Sequence, residues 1–329
     1  VPAWLRGGLG RAARLGTWSY AAAILLVLAA THWLGDRWWP AAVLLYIPRW
    51  AWPLPLLGLG LAAALARRPR LVPAQAALAV VVLGPVMGLA LPTEGLLGGR
   101  PAGPRLRVLT LSLDPIAYDT DALSRFVRAN GVDVICVQDF GLTQPGPWDA
   151  PGWHADPSGR IFSRHPFVAG PPPAGDWPSG CFGARIRLPD GTVVLVVSAH
   201  LPSPRAGLVG LRHGDPAPFR AFFEKHRGRA AQLAAALRAH RGDPIVMGAD
   251  LNMPADHPVM LPLRRELRPG FERAGRGFGL TYGVPVRWIG IDHVLASPHW
   301  RFAAYRVGPD LGLEHRPVFA ELALARPGT

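Results

Sequence analysis

The chain has 329 residues, room for about two domains, with 35 Lys and Arg against 22 acids and a formal net charge of +13. Lys225 is the only lysine; the charge is arginine in a chain rich in Ala, Gly and Pro, so the pI of 11.2 does not argue for nucleic-acid binding. No zinc-ligand spacing, P-loop, dinucleotide fingerprint or internal repeat is present, which sets aside the functions those devices support.

Residues 1–91 are expected to lie in a membrane. Thr17 to Leu34 is apolar apart from Thr17, Ser19, Thr31 and His32, and a spanning helix needs about 20 mostly apolar residues. Further apolar runs cover 51–66, which contains Pro53 and Pro55, and 71–91. Three spans are the simplest count, because a secretory signal has one apolar segment and then stops. Arg6, Arg11 and Arg14 precede the first span, and Arg67, Arg68 and Arg70 fill the loop between the second and third. The loop after the first span is poorer in cations, with Asp36, Arg37 and Arg49. Positive loops stay cytoplasmic, so the amino terminus is expected inside, with everything after the third span outside. That describes a multi-pass protein of the cytoplasmic (inner) membrane.

Residues 92–104, rich in Gly and Pro, read as a linker, and 105–326 as a soluble α/β domain. Leu106 to Leu113 is expected as a strand. Asp119 or Thr120 then caps a helix with Leu123, Phe126 and Val127 on one face, and Gly131 closes it. Val132 to Val137 is a second buried strand ending at Gln138-Asp139, and Ile161 to Arg164 is a short one. Ala184 to Leu188 pairs with Thr192 to Ala199 through Pro189-Asp190-Gly191 and runs into His200. A helix over 219–240, weakened at Gly228, precedes the run Pro244 to Asn252. Strands over 289–296 and 318–324 complete the set.

The run from Pro244 to Asn252 carries the chemistry. Side chains two apart on a strand share a face, so Asp250 and Asn252 point the same way at the mouth of a buried strand. An Asp there can act as a base towards water while the amide donates to a developing oxyanion, as phosphoester hydrolysis requires. Asp139, His200, Asp292, Glu314 and His315 recur at other strand ends.

With those pieces in order, residues 105–325 resemble the endonuclease/exonuclease/phosphatase family, the DNase I-like fold. The matching segments are Arg107 to Thr110, Asp133 to Asp139, Phe162 to Arg164, Val197 to Leu201, Gly248 to Asn252, Ile291 to His293 and Glu314 to Pro317. The resemblance implies an α/β four-layer sandwich, two mixed β-sheets packed face to face with helices outside. Three spans ahead of such a domain further resemble bacterial membrane phosphatases associated with glycopeptide resistance, which act on isoprenoid lipid pyrophosphates.

Carried over by position, the resemblance implies that Asp250 activates the attacking water and Asn252 stabilises the phosphoryl oxygens. His200 and His315 would contact the scissile phosphate, His315 helped by Asp292. A divalent ion, Mg²⁺ or alternatively Mn²⁺, would sit on Asp139 and Glu314, with Ser112 where the family has Asn. Arg229 and Tyr282 fall at positions implied to bind substrate. Asp139 stands where Glu is usual and Glu314 where Asp is usual, opposite changes in length that could compensate across one ion. The function implied is a membrane-anchored, metal-dependent phosphatase or phosphodiesterase acting on a phosphorylated lipid. A nuclease of the same chemistry, gripping nucleic acid through Arg264, Arg265, Arg268, Arg273 and Arg276, and a catalytically weak relative serving as a binding module are the alternatives.

Overall fold

A computed structural model describes residues 2–94, 103–113, 117–139, 145–169 and 177–325. Most of the expected linker, residues 95–102, lies outside the described residues. Contacts divide the chain into two units, Val1–Leu89 and Ala90–Thr329.

The first unit is helical. Helix α1 (Ala3–Leu34) has 32 residues, about 48 Å at 1.5 Å per residue. Two of its hydroxyls are absorbed locally: Thr17 and Thr31 donate to the carbonyls of Ala13 and Val27, at 2.7 and 2.8 Å. The expected second span is a shorter helix, α3 (Leu54–Leu65), preceded by α2 (Trp39–Val43). Residues 39–46 and 49–65 form a pair bent by 79°; Pro48, which lies at the break, has no N–H to continue a helical ladder. The third apolar run is helical from Pro69 to Val86 and includes α4 (Val72–Val81). It stops short of 91, because the turn around Pro85 widens and Gly88 takes φ +75°. Trp4–Leu34 and Pro69–Val86 are long and apolar enough to cross a membrane, and the count reaches three if the bent pair is one span.

The second unit holds two mixed sheets flanked by helices, the DNase I-like arrangement. In the first sheet, β1 (Arg105–Ser112) runs parallel to β2 (Val134–Gln138) and antiparallel to β11 (Val318–Leu324). Strand β10 (Trp300–Val307) extends it beyond β11, and β4 (Ile161–Ser163) and β3 (His154–Ala155) extend it beyond β2. The second sheet has the order β5 (Cys181–Arg187), β6 (Val193–His200), β7 (Ile245–Asp250), β9 (Asp292–Ala296), β8 (Arg268–Pro269), with β6 and β7 parallel. Helix α5 (Thr120–Asn130) begins where the Asp119 carboxylate accepts from Ala122 N at 2.8 Å and ends at Gly131, φ +56°. Helix α6 (Arg205–Arg212) precedes α7 (Ala217–Arg238).

Alternation along the strands sorts the core. Leu106 and Val108 of β1 and Val134 and Cys136 of β2 face the other sheet, meeting Val194, Val196, Val246 and Val294. Leu109, Leu111, Ile135 and Val137 face outward onto Leu123 and Val127 of α5. The sheets approach closely at Gly248, where a Cβ would come within 2.6 Å of the Cys136 Cβ. Cys136 and Cys181 are both free and buried, and burial pushes each thiol up to about 12, so neither is poised as a nucleophile. Elements not anticipated include the two-residue strands β3 and β8, the helix α6, and β10, whose pairing with β11 shifts register between Phe302 and Ala304.

Candidate active site

The face between the sheets turns polar towards one end. Thr110 donates to Gln138 Oε1 at 3.0 Å, and Gln138 Nε2 donates to Ser198 Oγ at 2.9 Å and to the Gly248 carbonyl at 3.3 Å. Ser198 in turn donates to the Val137 carbonyl at 3.0 Å. This neutral seam joins the sheets across β1, β2, β6 and β7. Beyond it the strands end in charge. Ser112, two residues after Thr110, donates to Asp250 Oδ2 at 3.2 Å.

Around Asp250 the remaining groups gather. Parallel pairing of β6 with β7 sets His200 opposite Asp250, and antiparallel pairing of β7 with β9 sets Asp292 opposite it on the other side. His200 Nε2 lies 3.7 Å and His315 Nδ1 3.8 Å from Asp250 Oδ2. His315 Nδ1 sits 3.0 and 3.1 Å from the two Asp292 oxygens, so it donates to Asp292, and Nε2 is the nitrogen left for a phosphoryl oxygen, to which it donates when the ring carries both protons. Asn252 takes φ +51°, a left-handed conformation Asn tolerates, and its N–H donates to Asp250 Oδ1 at 2.9 Å. Its amide nitrogen donates to the Leu201 carbonyl at 3.0 Å and lies 3.1 Å from His200 Nε2. The bond to Leu201 fixes which amide atom is nitrogen, so neutral His200 accepts at Nε2 and holds its proton on Nδ1.

Asp250 is 1% exposed. Burial, and then the neighbouring Asp292 charge, raise its pKa to about 6, against partial compensation from His315, His200 and the Asn252 N–H. A carboxylate so tuned is a competent base near neutral pH. Below it, Thr281 Oγ1 accepts from the N–H groups of Ile291 and Asp292, each at 3.1 Å, which holds the start of β9 in place.

Of the residues expected at the site, Asp250, Asn252, His200, His315, Asp292 and Ser112 come together. Asp139, also left-handed at φ +52°, has a half-exposed carboxylate 3.9 Å from His200 Nδ1. It lines a cleft of about 210 Å³ with Arg160, Gly180, Phe182 and His200. Glu314 and Asp139 were expected to share an ion, but the Glu314 carboxylate accepts from Arg205 Nη2 and, at 3.2 Å, from the Tyr282 hydroxyl. Tyr282 also packs its ring on His315, centroids 4.8 Å apart. Arg229 lies on α7, and its charge acts on Cys181 at the start of β5. Arg205 carries no expected role in the sequence: it sits on a helix of only eight residues that includes Gly207 and Gly210.

Asp250, Asp292 and His315 each offer a ligand atom, all within 4.8 Å of one another. Two buried carboxylates whose repulsion raises Asp250 fit a divalent cation, which would neutralise them and offset charge developing on a phosphoryl group.

The chain belongs to the endonuclease/exonuclease/phosphatase family, whose model matches residues 112–314. Members of that family are phosphoester hydrolases, generally dependent on divalent metal. Among solved structures, the chain is similar to an endonuclease/exonuclease/phosphatase family protein from Bacteroides thetaiotaomicron, with 15% identity, TM-score 0.49 and coverage of 68% of this chain and 99% of that one. It is also similar to a mannosyl-6-phosphatase of Bacteroides thetaiotaomicron, with 15% identity, TM-score 0.47 and coverage of 67% and 100%. An AP endonuclease from Archaeoglobus fulgidus matches with 15% identity, TM-score 0.46 and coverage of 65% and 98%. No curated protein sequence matches the chain.

Proposed function

We propose that this protein is a membrane-anchored, Mg²⁺-dependent phosphatase or phosphodiesterase acting on a lipid-linked phosphate or pyrophosphate at the outer side of the cytoplasmic membrane. The observation that carries the hydrolase reading is the cluster at the strand ends, where a buried Asp250 with its pKa raised to about 6 lies between His200 and the His315–Asp292 pair. Asp250 takes a proton from the attacking water. His315 and the Nδ1–H of His200 address the phosphoryl oxygens, Asn252 holds His200 through its amide, and Asp292 holds His315 in orientation. Mg²⁺ held by Asp250 and Asp292 would supply further charge neutralisation.

The membrane reading rests on the apolar helices Trp4–Leu34 and Pro69–Val86 and on the arginines that flank them. A tether of this kind raises the effective concentration of a lipid substrate. Of the arginines that would serve a nuclease, Arg264 pairs with Glu272, Arg268 donates to the carbonyls of Pro298 and Trp300, and Arg273 lies 3.9 Å from Glu94. Those partners leave less charge for a nucleic-acid backbone.

The test is to offer the purified chain a lipid pyrophosphate, a phospholipid and plasmid DNA, each with Mg²⁺ or EDTA. Mg²⁺-dependent phosphate release from lipid supports the reading, DNA nicking alone replaces it with a nuclease, and no turnover with any substrate rejects it. A carboxy-terminal alkaline phosphatase fusion reads the topology: activity outside the membrane agrees with three spans, and its loss points to two.

A further inference from the structure

The catalytic unit exposes five large aliphatic side chains among the described residues: Leu91, Val209, Leu261, Val284 and Val286. Three of them lie on elements that reach the active site. Val209 is 52% exposed and lies four residues after Arg205 on α6, hence on the same helix face. Arg205 reaches over the site's edge, where Nη2 lies 3.3 Å from the Tyr282 hydroxyl and pairs with Glu314. Val284 and Val286, 64% and 59% exposed, lie two and four residues after Tyr282.

The loop that carries these two valines is held from within. Arg287 donates to the carbonyls of Gly283 and, at 3.0 Å, Leu313, and Nη2 lies 3.2 Å from Asp310. Trp288 packs edge-on against Tyr282, centroids 6.0 Å apart, and Tyr282 packs on His315. Gly283, at φ +125°, admits the Trp288 indole, which a Cβ would meet at 2.3 Å. The inward groups of the loop are therefore engaged and its valines face water, one aromatic ring away from a residue that addresses phosphate. Arg205 and Arg212, both exposed, bracket Val209 on α6. A basic and apolar mixture of this kind suits an anionic lipid surface.

We propose that Val209, Val284 and Val286 form an apolar lip that receives the hydrocarbon chain of a single lipid phosphate while its phosphate enters between His200 and His315. The inference rests on the lipid-phosphate reading above. The exposed Arg212 one turn after Val209 and the join to the site through Tyr282 favour a lipid chain over a protein partner or a second copy. Such a lip selects substrates by chain length.

The test uses the full chain in detergent micelles, with the exposed triple variant Val209→Ser/Val284→Ser/Val286→Ser beside the parent. Substrates are a C5 and a C15 or longer polyprenyl pyrophosphate. The lip predicts a KM for the long chain raised about tenfold in the variant, with kcat and the short-chain kinetics unchanged. Equal loss on both substrates, or no change on either, overturns the lip. A variant that turns a dimer into a monomer with lipid kinetics unchanged assigns the patch to a second copy and also overturns it. A second readout is independent of turnover: in EDTA, a long-chain pyrophosphate with a diazirine in its chain should label Val209, Val284 or Val286, as mapped by mass spectrometry. Labelling there without hydrolysis in Mg²⁺ keeps the lip as a lipid site and rejects the hydrolase reading. Labelling confined to residues 3–86 overturns the lip.

Discussion

Two stretches of the same inter-sheet face are both polar and both buried, yet they are built on opposite plans. In the seam of Thr110, Gln138 and Ser198, neutral groups meet neutral partners and the donors find carbonyls or hydroxyls. One strand position further on, Ser112, Asp250, Asp292, His200 and His315 bring two carboxylates and two imidazoles together, and Asp250 is left with a raised pKa. A satisfied neutral network stabilises and specifies a fold. A crowded charged one costs stability, and a phosphate or a cation can relieve it. The comparison separates what binds the sheets together from what does chemistry on them.

Asp250→Asn should have the largest effect on rate, because it removes the base: a loss of about 10³-fold or more in turnover is expected, measured as phosphate release in Mg²⁺. His315→Ala should cost about 10²- to 10³-fold by removing the imidazole aimed at the phosphoryl oxygens. In the same assay, Asp292→Asn should cost less, on the order of 10²-fold, since His315 stays but loses its orienting anion. The seam should respond in the opposite way. Gln138→Leu leaves the hydroxyls of Thr110 and Ser198 without this partner and should cost about 1–3 kcal/mol, read as a lowered thermal midpoint, while kcat changes by less than about threefold. A loss of turnover as large as that of Asp250→Asn would place Gln138 in the chemistry and dissolve the distinction.

The smallest effect concerns stability in EDTA. The folded state raises the Asp250 pKa from 3.8 to about 6, so between those values it binds its proton more tightly than the unfolded chain. Its contribution is therefore fully favourable below about pH 3.8 and is lost as pH rises through about 6. Asp250→Asn should flatten this part of the pH–stability curve and raise the thermal midpoint at pH 7 by a few degrees. A lower midpoint at pH 7 would show that Asp250 is stabilised where it sits.

Much of this division is legible in the sequence. The run Pro244 to Asn252 marks Asp250 and Asn252, although the strand ends at Asp250 and a left-handed turn, not alternation, brings Asn252 back to it; His200 stands at the end of a hairpin arm whose turn is explicit. What alternation cannot show is partnership over long separations. Gln138 adjoins Asp139 in sequence but continues the face of Val134 and Cys136, so it enters the seam, and Asp139 turns off the strand at positive φ. Glu314 adjoins His315, but its carboxylate goes to Arg205, on a separate eight-residue helix more than a hundred residues earlier in the chain. The β10 strand escapes notice because its bulge at Phe302/Ala304 breaks the repeat of two.

The most direct test of the central claim is a double-mutant cycle on turnover between Asp250→Asn and His315→Ala, with single and double variants assayed on one phosphoester substrate. Groups acting on a single phosphorus as a unit lose their effect together, so the double variant should be little slower than the worse single. Losses that multiply would mean that the two residues act independently, and the shared site would be contradicted.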